Sequence, residues 1–442
     1  MRRAIDRLFF GEVLAARPYV LRKAFLLVLG FDCLVDLVPH GGRYGVGGFN
    51  VAHFAILDRW LPTPTPALYV GSLIATGLVA LALALGPRMR GGIAALAALY
   101  TATWAMSMLD SYQHHYLLSL LLVSIAAFPD DPHASSGSEA SGSARTPAIG
   151  YVSFALTCAI VYGYTALTKL EPDWRSGAAL ARLSPPDAFP WLFRELAGLG
   201  VDEAGVYRRL AHGAILVQLA SSLAYVASTT LDRQPSRVRR LVVTFLGGFP
   251  VAFHLGVSAL DLEIGWFGAY MLVSAFVFFA PGPLVAWLAA ALARPERAMT
   301  RSFASGANDV FASAALAVVA APVIAGTAGS LDLPGDLGGG IVAALIVVAL
   351  ALGTIARGRP GGARALVLSA VVGCALAYAA VTHGAPSVRY DYYRFVGGDR
   401  RRRGETAAAI AAYRKAYAYA PDGQSREETA RKLARLGAGD AD

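Results

Sequence analysis

Charge is what this 442-residue sequence has least of. Only 16% of its residues are Asp, Glu, Lys or Arg, against roughly 25% in an ordinary soluble domain. Because 56% are hydrophobic and the mean hydropathy is +0.50, a water-soluble globule of this size is excluded. Cysteine is also scarce. Cys33, Cys158 and Cys374 each lie inside an apolar run, which excludes a disulfide framework and shows no zinc-ligand spacing. Lysine is scarcer than the basic total suggests, since the 39 Lys and Arg include only Lys23, Lys169, Lys415 and Lys432. There is no Walker motif, no dinucleotide glycine fingerprint and no serine nucleophile elbow. The glycine-rich HGGRYGVGGFN follows an apolar run rather than a strand, so it reads as a loop turn and not a phosphate cradle. Neither a metal nor a nucleotide is indicated.

What the sequence has is apolar runs long enough to cross a hydrocarbon core, which takes about 20 helical residues. They fall near 20–38, 67–85, 91–109, 115–128, 148–168, 208–229, 239–257, 263–280, 309–329, 338–356 and 364–382. The expected fold is therefore all-α: a polytopic membrane helical bundle of about 9–11 transmembrane helices with a short polar helical C-terminal tail. The run at 283–293 is too short to span and is expected on the membrane surface. Arg2, Arg3, Arg7, Arg17, Arg22 and Lys23 cluster at the first run, so its N-terminus is expected in the cytoplasm, as an uncleaved start. The even-numbered connections then become cytoplasmic, and they hold Arg88, Arg90, Arg145, Arg233, Arg237, Arg294, Arg297, Arg357 and Arg359. The acidic SLDLPGDL at 330–337 has no Lys or Arg and fits an outer loop. The net charge of +9 thus reports topology in an inner (plasma) membrane, not a nucleic-acid partner.

Two segments are not membrane. Residues 130–147, rich in Ser, Gly and Ala, read as a disordered cytoplasmic linker. Residues 389–437 are polar and helical in pattern, and Gly404, Ala408, Tyr413, Ala416 and Pro421 carry the spacing of one tetratricopeptide-like helical hairpin. The expected organisation is a membrane domain over 1–292, additional transmembrane helices over 293–388, and a polar tail over 389–442 that either docks a protein partner or is a capped amphipathic end. An odd span count puts that tail outside, against which the run Arg400 to Arg403 argues.

Three polar groups interrupt this apolar background. Lys169 ends the fifth run in YGYTALTKLEPDWRSG. A desolvated lysine, unlike an arginine, can lose its proton, which makes Lys169 a candidate general base; the alternative is a snorkelling anchor paired with Glu171 or Asp173. In SYQHHYLLSLLL, His114 and His115 lie between Tyr112 and Tyr116, where they either titrate or form part of an aromatic belt. In FPVAFHLGVSALDLEIGWFGAYML, His254 is an intramembrane imidazole followed by Asp261 and Glu263, either a satisfied core residue or a functional one. Under the arginine-derived orientation, the boundaries bearing His114, Lys169 and His254 share the outer face and are expected to line one cavity.

These segments resemble the HTTM (horizontally transferred transmembrane) domain, the membrane module of vitamin K-dependent gamma-carboxylase and its bacterial relatives. The likeness covers roughly residues 15–290 and is carried by YQHHYLLSLLL, the Lys-Leu-x-x-Asp-Trp-x-x-Gly core of TKLEPDWRSG, and FHLGVSALDLEIGWFGAYML. It implies reduced vitamin K or menaquinol as the cofactor, entering from the lipid bilayer. It places the base lysine on Lys169 and a catalytic histidine on His114, to which the reading of the residues adds His254 as a polarising or hydrogen-bonding group. His115, Tyr116, Asp173 and Trp174 would then contact or position the quinol, Asp173 as a counter-ion. The carboxylase's large lumenal domain is replaced here by extra apolar runs and the tail, so quinol oxidation or epoxidation is expected rather than peptide carboxylation. The alternative is a non-enzymatic transporter or scaffold that binds a lipid or small molecule.

Overall fold

The computed structural model describes residues 11–45, 61, 64–86, 90–107, 113–128, 144–183, 190–229, 237–259, 265–303 and 386–438. The expected spans at 309–329, 338–356 and 364–382 lie outside the described residues, as do Cys374, Tyr112, Asp261 and Glu263. Apart from two three-residue strands, every described element is helical, as expected for an all-α membrane bundle. Among the described residues, four helices are long and apolar enough to cross a membrane: Pro66–Leu85, Ile149–Thr168, Glu203–Ser228 and Leu241–Ser258. A bent pair, Phe267–Phe279 with Gly282–Ala293, makes a fifth if it counts as one span. Contacts divide the chain into two compact units: Met1–Val28, Leu83–Ala94 and Leu120–Arg297 in the first, Leu29–Ala82, Ala95–Ser119 and Ala298–Asp442 in the second.

In the first unit, β1 (Glu12–Leu14) pairs antiparallel with β2 (Arg145–Pro147). The last three residues of the expected linker are therefore ordered. This ladder sets the start of α1 (Ala16–Phe31) and the start of α6 (Ile149–Thr168) at the same end of the unit, in keeping with two loops on one side. Helix α6 packs on α10 (Glu203–Ser228), α10 on α11 (Arg237–Ala259), and α11 on α12 (Phe267–Phe279). Small residues permit the close approach: the Ser222 hydroxyl donates to the Ala159 carbonyl at 2.7 Å, and Gly163 lies opposite Ser222. Between apolar helices in lipid, such van der Waals and hydroxyl contacts replace the hydrophobic drive. An aromatic cluster fills the interior, with Phe25 at 5.0 Å from Tyr270 and Tyr151 stacked at 4.3 Å on Phe278.

Helix α12 ends because Pro281 forces Ala280 into extended backbone, at φ −62° and ψ 149°. The chain turns by 118° into α13 (Gly282–Phe303), so the run expected on the membrane surface is the second arm of a broken helix pair. The carbonyls left open at the end of α12 are met by Arg17. Its fully buried guanidinium donates to Val277, to Phe278 at 3.3 Å and to Ala280 at 3.1 Å. Because the residue stands at the first turn of α1, the start of α1 and the end of α12 share one end of the unit.

In the second unit, the end of α1 runs through a π-helical turn, Asp32–Leu37, into α2 (Val38–Tyr44). This stretch crosses α3 (Pro66–Leu85) closely, with Gly77 against Leu34 and Gly30 against Leu81. Leu34, Val38, Tyr44, Tyr69, Val70, Leu73 and Ile74 form the core there. The C-terminal tail forms α14 (Pro386–Arg402), α15 (Thr406–Ala418) and α16 (Gly423–Arg435). Gly397 lets the Tyr413 ring lie against α14, and Asp422 caps α16 by accepting from the Ser425 amide at 2.7 Å. Of the residues that carry the repeat-like spacing, Tyr413 and Ala416 are buried and Ala408 is exposed. Helix α14 rests on α2, where Arg43 pairs with Asp391 at 3.0 Å.

Candidate functional site

Lys169 follows the last turn of α6 and continues its buried stripe. Tyr162 and Ala166 are buried while Ile160, Tyr164 and Leu167 are exposed, and helical spacing puts position 169 on the face of 162 and 166. The side chain is half-buried. Its amine lies 3.4 Å from the Thr165 carbonyl and 4.9 Å from the centre of the Trp174 ring. Burial holds the Lys169 amine below the ordinary lysine value. Among the described residues no carboxylate lies within ion-pair distance of it, and the Asp173 carboxylate instead accepts from Arg182 at 2.7 Å. Both of those side chains are exposed.

The loop that carries Trp174 is fixed by its glycine. The short helix α7 (Pro172–Arg175) ends before Gly177, whose φ is +85°. A Cβ there would overlap the α10 backbone at Tyr207 and Arg208. Glycine is thus required twice, for the left-handed conformation and for the close approach. The spacing Lys-Leu-x-x-Asp-Trp-x-x-Gly holds an amine over an indole and locks the loop against the next span.

Deeper in the same unit, His254 is 1% exposed and its Nε2 lies 2.7 Å from the Tyr162 hydroxyl. Pro250 interrupts α11 one turn earlier, which removes a ladder donor near the imidazole. Residues 162 and 169 are seven apart, so Lys169 stands about 10 Å further along the helix axis than Tyr162. Sequence reasoning missed the polar stripe facing this pair. Gln218, Ser221 and Tyr225 on α10 are buried at i, i+3 and i+7, and Tyr225 stacks on Tyr162 at 5.7 Å. That heptad spacing of polar groups inside an apolar run was the available signal.

The histidine pair belongs to the second unit. In α5 (Gln113–Ala126), His115 is buried with its Nδ1 2.7 Å from the Tyr100 hydroxyl of α4 (Arg90–Met106), and its ring lies parallel to Trp104 at 6.5 Å. The Trp104 indole donates to the Ser119 hydroxyl at 3.0 Å. His114 is half-buried and Tyr116 exposed, so the more enclosed member of the pair is His115. The three polar groups are thus held by three sets of contacts: Lys169 with Trp174, His254 with Tyr162, and His115 with Tyr100 and Trp104. Among the described residues no group of three His, Cys, Asp or Glu is placed to hold a metal ion.

The family model of the HTTM domain matches residues 17–282. The chain belongs to the HTTM domain family. With its apolar helices, this makes it a membrane protein. No curated protein and no solved structure matches the chain. The HTTM match contains Lys169, His254 and the histidine pair, and also Arg17, the buried cap of α12.

Proposed function

We propose that this HTTM protein binds a lipidic quinol and promotes its oxidation, with Lys169 as general base. One observation carries the reading: Lys169 is the lysine placed on a bundle-facing stripe at a membrane boundary, with its amine on an indole ring rather than on a carboxylate. A carboxylate partner would hold the ammonium charged; burial without one raises the neutral fraction that can accept a phenolic proton. Trp174 stabilises the ammonium once formed, through its ring face, and keeps the amine aimed. His254, oriented by Tyr162, offers a hydrogen bond to a ring oxygen. Dioxygen is the oxidant this reading requires: the quinol passes two electrons and two protons on to it, giving quinone and hydrogen peroxide, while the chain holds the quinol, orients it and takes its first phenolic proton at the Lys169 amine. The N-terminus in the cytoplasm and Lys169 at the outer face complete the reading, and the tail offers a surface for a protein partner.

The test is turnover of dithionite-reduced menaquinone by purified protein in detergent. Loss of oxidation or epoxidation in Lys169→Arg, with retention of bound quinone, is expected. Equal turnover in wild type and Lys169→Arg removes the base. Stoichiometric retention of quinone with no turnover in wild type would instead make the protein a carrier.

A further inference from the structure

Helices α6 and α10 run antiparallel, since the loop after α6 meets the start of α10 at Gly177 and Tyr207 while Ser222, further along α10, bonds back to Ala159. Their inner sides face the bundle together, where Tyr162 stacks on Tyr225. Their outer sides therefore also point the same way. On α6 that side carries Ile160, Tyr164 and Leu167, at i, i+4 and i+7 and 60–69% exposed. On α10 the exposed stripe is Arg209, His212, Leu216, Leu219 and Leu223, at i, i+3, i+7, i+10 and i+14, with Arg208 exposed beside it. Between the two stripes the surface is low, because Gly163 has no side chain and the Ser222 hydroxyl is turned in to the Ala159 carbonyl. The result is a shallow groove on the outside of the pair, apolar along most of its length and basic at the end where α10 begins.

We propose that this groove seats one anionic phospholipid, its phosphate on Arg208, Arg209 and His212 and an acyl chain along the seam between α6 and α10. The lengths agree. His212 and Leu223 are eleven positions apart, about 16 Å along the axis, and half of a hydrocarbon core is about 15 Å, so a headgroup at the arginines leaves its chain against Leu216, Leu219 and Leu223. The charges agree as well. Guanidinium forks match phosphate oxygens two at a time, and an anionic headgroup, unlike a choline, brings no second cation among them. Two acidic side chains at the same boundary are engaged elsewhere: Asp202 caps α10 by accepting from the Gly205 amide, and Asp173 accepts from Arg182. One arginine at a span end is an ordinary anchor; two adjacent guanidiniums and an imidazole at the mouth of an apolar groove make a seat. Lys169 continues the bundle-facing stripe on the other side of α6, so the seat and the proposed quinol chemistry stand or fall separately.

The full chain, purified in detergent, is titrated with dioleoyl phosphatidylglycerol or dioleoyl phosphatidylcholine, and bound lipids are counted by native mass spectrometry. The first phosphatidylglycerol is expected to bind about ten-fold tighter than the first phosphatidylcholine. Arg208→Gln with Arg209→Gln should abolish that preference at an unchanged melting temperature. Arg182→Gln with Arg194→Gln removes the same charge from the same connection, and should keep the preference, because Arg194 stands on the helix Pro190–Gly198, which packs through Phe193 on Tyr207, on the Tyr225 face of α10. Equal binding of the two lipids by wild type overturns the seat, and so does an equal loss in both double variants, which would mean a diffuse positive surface. The acyl chain is located in phosphatidylcholine nanodiscs doped with phosphatidylglycerol brominated on its chains. A tryptophan placed by Leu219→Trp should be quenched more strongly than one placed by Phe245→Trp, at an exposed position of α11, and the excess should vanish in the Arg208, Arg209 double variant. Equal quenching at the two positions puts the lipid elsewhere and overturns the groove.

Discussion

Arg17→Met probes the contact on which the end of α12 depends. The guanidinium donates to three carbonyls, those of Val277, Phe278 and Ala280, and is 1% exposed. Hydrogen bonds to a charged group contribute about 1.5–3 kcal/mol each, a gross value of about 5–9 kcal/mol for three. The substitution also removes the cost of burying a cation, which offsets several kcal/mol. A net destabilisation of about 2–4 kcal/mol follows, from the carbonyls left without donors. Arg17→Lys keeps the charge but lacks the fork that reaches three acceptors, and should lose about half as much. Denaturant titration in detergent, followed by tryptophan fluorescence, measures the midpoint shift at constant slope. Hydrogen exchange across 274–285 gives the local readout, with protection lost at the last turn of α12. An Arg17→Met variant within about 1 kcal/mol of wild type, with exchange unchanged there, would refute the capping role.

Lys169→Met is expected to be more stable than wild type at pH 7 and inactive. The depressed pKa means the ammonium is penalised in the fold, so this group's stabilisation is present above the unfolded value of about 10.4 and is lost as pH falls through the folded one; the melting-temperature gap between wild type and Lys169→Met at pH 7 should therefore narrow at pH 10.5. Docking of the tail should weaken in acid. The His40 imidazole is held low first by burial and then by Arg43, against smaller opposing pulls from Asp36 and Asp391, and its buried Nδ1 has no partner. Its contribution is present above about pH 6.5 and is lost as pH falls through the lower folded value. Protection factors in α14, taken relative to the intrinsic exchange rate at each pH, should fall from pH 7.5 to 5 in wild type and stay flat in His40→Gln; an identical fall in the variant would exonerate His40. Gly247→Ala should cost about 1–3 kcal/mol by forcing a Cβ into the Phe279 side chain, read as a lower melting temperature, and a neutral result would mean α11 and α12 pack less closely.

The spans at 67–85, 148–168 and 208–229 were legible because lipid imposes length and apolarity together, which leaves little freedom in where such helices start and stop. The break at Ala280 was half legible. Pro281 ended the eighth run on time, but hydropathy carries no angle, so the 118° turn into the second arm had no signal in the sequence. Arg17 was read only as a topogenic charge. Its acceptors are backbone carbonyls some 260 positions away, and carbonyls have no letter in a sequence. Lys169 was legible for a compositional reason, its rarity, yet its partner was not: charge complementarity suggested Asp173, and the fold gave Asp173 to Arg182 and the amine to Trp174. Gln218 went unnoticed because one amide in a long apolar run barely changes the hydropathy.

The spacing of these groups along α6 constrains the chemistry more than their identities do. Tyr162, which holds His254, and Lys169 share a face of α6, with their backbone positions about 10 Å apart along the axis. Under the proposed function they would act at different depths on a ligand that extends along the face. The deeper position, enclosed by Tyr162, Tyr225 and Phe278, suits the apolar side of a ring. The shallower one, where the chain leaves the span and the amine meets indole, is where a proton can pass to water after it is taken. Under the proposed function, a lysine at the boundary would transfer the proton where solvent can reset it, and the buried groups below it would hold the ring.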